Sequence, residues 1–168
     1  MNLNSLLEKA KTSGFYKWLF NIVLWRTIPF NQPHRLKVEQ VKEDTLLISI
    51  PFIRKNKNHI NGVHACALAT LCEYISGLSL ARALPPEQYR LILKSIQMEY
   101  LYQGKMKVNA EFGIDQSELA AIKAALVTED SIVKTYAVQV FDTHQHHICT
   151  GSITWQIKPW GKVKSPSS

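Results

Sequence analysis

The spacing of apolar residues predicts that the chain begins with a helix. Residues 3–27 carry apolar side chains at a loose 3.6-residue period, which is typical of an amphipathic helix: Leu6, Leu7, Ala10, Leu19, Ile22 and Val23. The first proline is Pro29, so nothing in the pattern interrupts the helix before that point. We therefore expect an N-terminal helical segment that occupies residues 1–30.

After Pro33 the pattern changes to a period of two, which predicts β-strands. Leu36 and Val38 alternate with charged residues, and a second alternating run covers residues 45–52, beyond a polar turn at 43–44. Pro51 has no N–H to donate to a neighbouring strand. The second strand should therefore end there or lie at the edge of a sheet.

Residues 64–82 form the most apolar stretch, in which small residues occupy nearly every side of the predicted helix. A helix that is apolar on almost all sides is buried in the protein core. Pro85 and Pro86 then stop the helical pattern. This stretch predicts one long central helix.

Strand patterns return after the central helix. Alternating residues before and after the turn at 103–105 predict an antiparallel hairpin that runs from Ile92 to Phe112. Asp115 and Glu118 have the spacing of a capping box and open a short helix that extends to Leu126. Residues 132–141 and 148–157 predict a last hairpin.

The composition fits a single globular domain. The 168 residues are 46% hydrophobic and carry a net charge of +7. The basic residues are scattered and lack interleaved aromatic residues on one strand, so we expect no nucleic-acid partner. Lys17 and Glu73 interrupt the two stretches most similar to membrane spans, so none is expected.

The three cysteines and the N-terminus point to the cytoplasm. Cys66, Cys72 and Cys149 are odd in number and have no metal-type spacing, which favours a reducing compartment. The first residues lack the basic start and apolar run of a signal peptide.

Together these elements predict an α+β protein with the hotdog fold. A helix that is apolar on every face needs a curved antiparallel sheet wrapped around it, because a flat sheet would cover only one side. We expect one domain over residues 1–168, with an extra N-terminal helix at 1–30, a hotdog core at 34–158 and a loose tail at 159–168.

The segment before and inside the central helix resembles the active-site segment of hotdog-fold acyl-CoA thioesterases of the phenylacetate-pathway type. That family has an Asn, a Gly and then His-Gly-Gly at the helix start, with a carboxylate nine residues after the His. Here Asn58 lies six residues before His64, and Glu73 lies nine residues after it. The family's His-Gly-Gly is His64-Ala65-Cys66 in this chain, and Asn61 occupies the position of the preceding Gly, with Gly62 next to it.

The resemblance implies a thioesterase that hydrolyses an acyl-CoA or acyl-carrier thioester. It implies Glu73 and His64 as catalytic residues and a substrate-binding set around the helix start: Asn58, Asn61, Gly62, Ala65 and Cys66. It also implies a homodimer or a dimer of dimers, and coenzyme A enters only as part of the substrate, without a separate cofactor.

Physical chemistry supports a site at the start of this helix. Unpaired N–H groups and the positive end of the helix dipole could hold a thioester carbonyl and the oxyanion that develops from it. Glu73 lies among apolar residues, and desolvation raises the pKa of such a carboxyl toward the range of a general base or nucleophile. The structural alternative is a buried Glu73 that pairs with Arg82 or with a tyrosine.

Other readings of the same residues stay open or are disfavoured. Ala65 and Cys66 narrow the site relative to glycines, which favours a non-catalytic acyl-CoA-binding or interaction module as the alternative. A hydratase of this fold is disfavoured, because its Asp-x-Asn-Pro-x-x-His string is absent. His64 and Cys66 are too close in sequence to face each other on one helix, so we expect Cys66 to pack in the core.

Two further groups of residues suggest ligands. Arg54, Lys55 and Lys57 precede the helix start and could bind the phosphates of coenzyme A. An ordinary solvated loop explains them as well. The histidines of the last hairpin, His144, His146 and His147, lie in a polar turn without a carboxylate cluster, so we expect no metal site.

Overall fold

The computed structural model describes residues 3–163, and the side chains from residue 5 onward. Four α-helices and six strands follow one another: α1 (Leu3–Thr12), α2 (Gly14–Thr27), β1 (Lys37–Val41), β2 (Thr45–Ile50), α3 (Ala65–Ala83), β3 (Tyr89–Tyr100), β4 (Val108–Gly113), α4 (Gln116–Thr128), β5 (Ile132–Asp142) and β6 (His147–Pro159). Short 3-10 turns occupy Pro29–His34, Arg54–Asn56 and Trp160–Lys162.

The strands form one antiparallel sheet that curves around α3. Their order is β1-β2-β4-β5-β6-β3, and α3 contacts every strand from β2 to β6. Only a curved sheet brings five strands against one helix. The predicted α+β hotdog fold is therefore confirmed, with the extra helical segment at the N-terminus.

Helix α3 begins and ends where its sequence predicts. His64 caps its first turn, and Leu84 ends it directly before Pro85. Leu71 and Ile75 are fully buried in the core on either side of Glu73. The helix thus carries a carboxylate into an apolar interior.

The N-terminal segment is two helices and not the single helix that its pattern predicts. The break falls at Ser13, whose side chain accepts the N–H of Tyr16 and caps α2. Residue Asn21 of α2 then clamps the edge of the sheet: it accepts the N–H of Val38 at 2.7 Å and donates to the same residue's carbonyl at 3.1 Å. The indole of Trp25 donates to the Leu36 carbonyl at 2.6 Å.

The predicted hairpin between Ile92 and Phe112 is wrong. β3 lies at one end of the sheet and pairs with β6, whereas β4 lies between β2 and β5. The intervening residues do not turn back on β3; Leu101 and Tyr102 donate their N–H groups to the carbonyl of Ile148. A period of two identifies a strand but leaves its partner open.

The other elements follow their sequence patterns. β2 ends at Ile50, directly before Pro51, and Asp115 caps α4 by accepting the N–H of Glu118 at 2.8 Å. β5 and β6 form the expected hairpin.

The expected loose tail differs from the structure over its first residues. Pro159 is the last residue of β6, and the Trp160 indole donates to the Pro86 carbonyl at 2.7 Å. Lys162 donates to the Glu129 carbonyl at 2.8 Å, so this part of the tail packs on the domain. The remainder of the expected tail, residues 164–168, lies outside the described residues.

No helix within residues 3–163 combines the length and the apolar character that crossing a membrane requires.

Candidate active site

At the start of α3, one backbone N–H is hydrogen-bonded to a side chain and another has no acceptor among the described residues. Nδ1 of His64 accepts the N–H of Cys66 at 3.1 Å, and the His64 carbonyl accepts the N–H of Ala67 at 2.9 Å. Across the described residues, no acceptor takes the N–H of Ala65. His64, Ala65 and Cys66 are all exposed, so a ligand can reach this free donor.

Cys66 is therefore not the core residue that its position predicted. Its side chain is exposed, because the burial of α3 begins only at Ala67, one residue later. The backbone of Cys66, rather than its thiol, makes the contact with His64.

The loop that leads into α3 is held by Asn58. Its Oδ1 accepts two backbone N–H groups, from Ile60 at 3.1 Å and from Gly62 at 2.8 Å. Asn61 has a φ of 57°, the left-handed conformation that asparagine tolerates better than most residues. Gly62 is buried, and a Cβ there would lie 2.8 Å from Cγ of Gln103. In this structure the three residues shape the turn before the helix.

Glu73 lies two turns further along α3 and is half-buried. Its carboxylate makes no hydrogen bond or ion pair with any residue of the described chain, and desolvation by burial raises its pKa above the usual 4.5. Arg82 instead donates to the carbonyls of Lys42 and Glu43, at 3.1 and 2.6 Å. The Glu73–Arg82 pair, which the structural alternative for Glu73 required, is thus not formed.

Glu73 opens into an apolar cavity of about 680 Å³. One face of α3 forms one wall, and β3 contributes Leu91 and Ile96. A third wall comes from the N-terminal segment, with Leu24, Ile28 and Phe30. The cavity therefore brings the candidate carboxylate together with a surface suited to an apolar ligand.

Two residues that the sequence analysis missed shape this site. The indole of Trp155 lines the cavity and donates to Oγ of Ser76 at 3.0 Å. It lies so close to α3 that a Cβ on Gly77 would meet its ring at 3.0 Å. A glycine inside a helix is a signal of such a close approach. The hydroxyl of Tyr100 donates to the Ala65 carbonyl at 3.2 Å and so reaches the helix start from β3.

The basic loop lies directly before α3. Arg54 and Lys55 are exposed, whereas the Lys57 ammonium sits 4.0 Å from the ring centre of Phe52. The loop is anchored by the buried Asn56, whose carbonyl accepts the N–H of His64 at 2.8 Å. Two of the three candidate cations thus remain available to a ligand near the helix start.

The histidines of the last hairpin have other partners. Nδ1 of His146 lies 3.0 Å from the Asp142 carboxylate, and Nε2 of His147 lies 3.0 Å from the Thr150 hydroxyl. No group of three or more metal-ligating side chains was found within residues 3–163.

The sequence matches one family model, described as a domain of unknown function (DUF4442), over residues 16–157. No curated protein sequence matches the chain.

Solved structures share the fold. A Pseudomonas aeruginosa protein of unknown function, described as a probable thioesterase, has a TM-score of 0.77 at 18% identity, over 83% of this chain and 93% of its own. A Chlorobaculum tepidum protein of unknown function has a TM-score of 0.73 at 13% identity, over 89% of this chain and 98% of its own. A thioesterase from Haemophilus influenzae has a TM-score of 0.63 at 13% identity, over 81% of this chain and 88% of its own. The resemblance to hotdog-fold thioesterases is thereby confirmed at the level of the fold.

Proposed function

We propose that this chain, which belongs to the DUF4442 family, is a thioesterase that hydrolyses an acyl-CoA or acyl-carrier thioester. The observation that carries the proposal is the Glu73 carboxylate, which lies unpaired in an apolar cavity on the helix whose exposed start offers a free backbone N–H. A carboxylate with a raised pKa and a backbone amide that can bind an oxyanion are two groups that acyl transfer requires.

Two routes use the same residues. As a general base, Glu73 takes a proton from water while the hydroxide attacks the thioester carbonyl. As a nucleophile, its oxygen attacks directly and forms an anhydride that water then cleaves. In both routes the carbonyl oxygen becomes an oxyanion held by the N–H of Ala65 at the helix start of a second copy, and the C–S bond breaks. The departing thiolate takes up the proton that Glu73 removed from water in the first route, and a proton from solvent in the second.

The geometry of one chain supports a site built from two copies. Ala65 and Glu73 are eight residues apart on α3, which corresponds to about 12 Å along the helix axis. One carbonyl group cannot touch both. A second copy that pairs with the free edge of β3 would bring its own helix start toward Glu73, and β3 exposes Leu93 and Tyr100 for such a contact.

Two exposed basic side chains lie near the N-terminal end of α3, where they can bind the coenzyme A portion of the substrate. Arg54 and Lys55 project from the loop that His64 and Asn56 anchor to the helix start. Phosphate groups would bind these side chains by charge-assisted hydrogen bonds.

One observation favours the alternative of an acyl-CoA-binding module without catalysis. The His64 ring occupies the N–H of Cys66, so one of the two amides at the helix start is already bound. If that contact persists with substrate, the oxyanion has a single donor.

The test measures thiol release from an acyl-CoA panel by the parent and by Glu73→Gln. We expect Glu73→Gln to lower kcat by about a hundredfold or more while the protein stays folded. Glu87→Gln, which changes an exposed glutamate outside the cavity, is the matched control and should leave kcat unchanged. Full activity in Glu73→Gln would overturn the catalytic role, and binding without hydrolysis in the parent would favour the module.

A further inference from the structure

The cavity is much longer than a thioester group. Its lining residues on α3 run from Cys66 to Ala81, a span of 15 residues or about 22 Å along the helix. Glu73 lies near the middle of this span. Most of the cavity therefore extends beyond any bond that Glu73 could attack.

The lining offers little to a polar ligand. The hydroxyl of Thr70 donates to the Cys66 carbonyl at 2.8 Å, and that of Thr27 donates to the Val23 carbonyl at 2.9 Å. Their hydrogen atoms therefore point back to their own helices. Beside Thr27, the N-terminal segment contributes a second polar wall residue, Asn31, which is almost fully buried. The other wall residues of this segment that face the cavity are mainly apolar.

The outer wall of the cavity is built by residues that precede the hotdog core. Leu24, Ile28 and Phe30 belong to α2 and the turn after it. The buried Asn21 fastens α2 to the backbone of Val38 in β1, and the Trp25 indole fastens it to the carbonyl of Leu36, directly before that strand. These hydrogen bonds hold the helix that forms this wall against the sheet.

We propose that this cavity binds the acyl chain of the substrate and selects medium-length or long apolar chains, with the N-terminal segment as the specificity element. The inference rests on the proposed function, because it places the thioester at Glu73. An extended hydrocarbon chain fits a long apolar space and leaves no polar group of its own unpaired. A short acyl group would leave most of this surface unfilled.

The chain-length dependence of hydrolysis tests the proposal. For butanoyl-, octanoyl-, dodecanoyl- and hexadecanoyl-CoA, kcat/KM should rise with chain length until the cavity is filled, by up to about fourfold for each methylene group. Phenylacetyl-CoA should be a poor substrate. If butanoyl- or phenylacetyl-CoA is hydrolysed best, the chain-length proposal fails while the thioesterase function stands.

Ala81→Phe fills one end of the cavity, and Ala124→Phe adds the same bulk on the exposed face of α4 as a control. We expect Ala81→Phe to lower the ratio of kcat/KM for dodecanoyl-CoA to that for butanoyl-CoA at least tenfold, and Ala124→Phe to leave it unchanged. An equal ratio in both variants would overturn the assignment of the cavity.

A binding measurement on the unchanged protein separates this inference from the proposed function and does not depend on a variant that folds. Non-hydrolysable thioether analogues of butanoyl- and dodecanoyl-CoA are titrated by isothermal calorimetry. Tighter binding of the dodecanoyl analogue without hydrolysis of any thioester supports the cavity assignment and removes the thioesterase function. Equal affinity for both analogues overturns the cavity assignment.

Discussion

The Nδ1 atom of His64 lies 3.1 Å from the backbone nitrogen of Cys66 and accepts its N–H. The ring therefore caps α3 and also occupies an amide beside the free N–H of Ala65. The capping and the catalytic roles of His64 can be separated by substitution.

His64→Asn keeps a side-chain acceptor at the cap and removes the imidazole, whereas His64→Ala removes both. We expect His64→Ala to lower the free energy of unfolding by about 1 kcal/mol and His64→Asn to lower it less. Urea denaturation measures the difference. Thiol release should stay within about tenfold of the parent in His64→Asn; a loss of about a hundredfold or more would instead make His64 a proton-transfer group.

Glu73 should make stability depend on pH. Its pKa is raised by desolvation in the folded protein, so the stability contributed by its protonated form is fully present below the unfolded value of 4.5 and is lost as pH rises through the folded value. Glu73→Gln should therefore gain in Tm relative to the parent as pH rises from about 4 to about 8. Thermal melts of both proteins and of Glu87→Gln measure this gain, and a Tm difference that is constant with pH would contradict it.

The basic loop should act on binding rather than on chemistry. Replacing Arg54 and Lys55 with Ala is expected to raise KM for an acyl-CoA by roughly threefold to tenfold, with little change in kcat, because phosphate contacts are remote from the breaking bond. The parent's KM should also rise with ionic strength. An acyl N-acetylcysteamine thioester lacks the phosphates and serves as the control substrate, and Lys123→Ala is the control variant. An unchanged KM for acyl-CoA would make the loop merely solvated.

Substitutions at Asn61 can show whether this residue is needed for the conformation of the turn or for a contact with the substrate. At a φ of 57°, Asn61→Ala should destabilise the protein by about 1 to 2 kcal/mol, whereas Asn61→Gly should cost less, because glycine adopts this conformation freely. Chemical denaturation measures both. If Asn61→Gly keeps the stability but loses thiol release, the side chain contacts the substrate.

The free edge of β3 should mediate self-association. Light scattering of the parent at micromolar concentration is expected to give a dimer, and Leu93→Glu should shift it toward the monomer by placing a charge on an exposed apolar position of that strand. Val133→Glu introduces the same charge at an exposed position of β5 and should not. A monomeric parent would remove the composite site.

The sequence by itself predicted those features that depend on residues close to one another in the chain. The all-round apolar stretch predicted α3, Pro51 predicted the end of β2, and the spacing of Asp115 and Glu118 predicted the cap of α4. Glu73 among apolar neighbours predicted a desolvated carboxylate, since those neighbours lie on the same helix. Each of these signals spans a few residues and needs no knowledge of what packs against them.

Only the tertiary structure decided which distant surfaces meet. β3 pairs with β6, in a register that runs from Tyr100 opposite Cys149 to Tyr89 opposite Pro159, although the turn that follows β3 suggested β4. Arg82 binds the carbonyls of Lys42 and Glu43 and leaves Glu73 without a partner among the residues that the structure describes. One wall of the cavity comes from Leu24, Ile28 and Phe30, in a segment whose pattern predicted only an N-terminal helix. A period of two or of 3.6 residues states which face of an element is apolar, but the partner that covers the face is chosen by the closure of the whole sheet around α3.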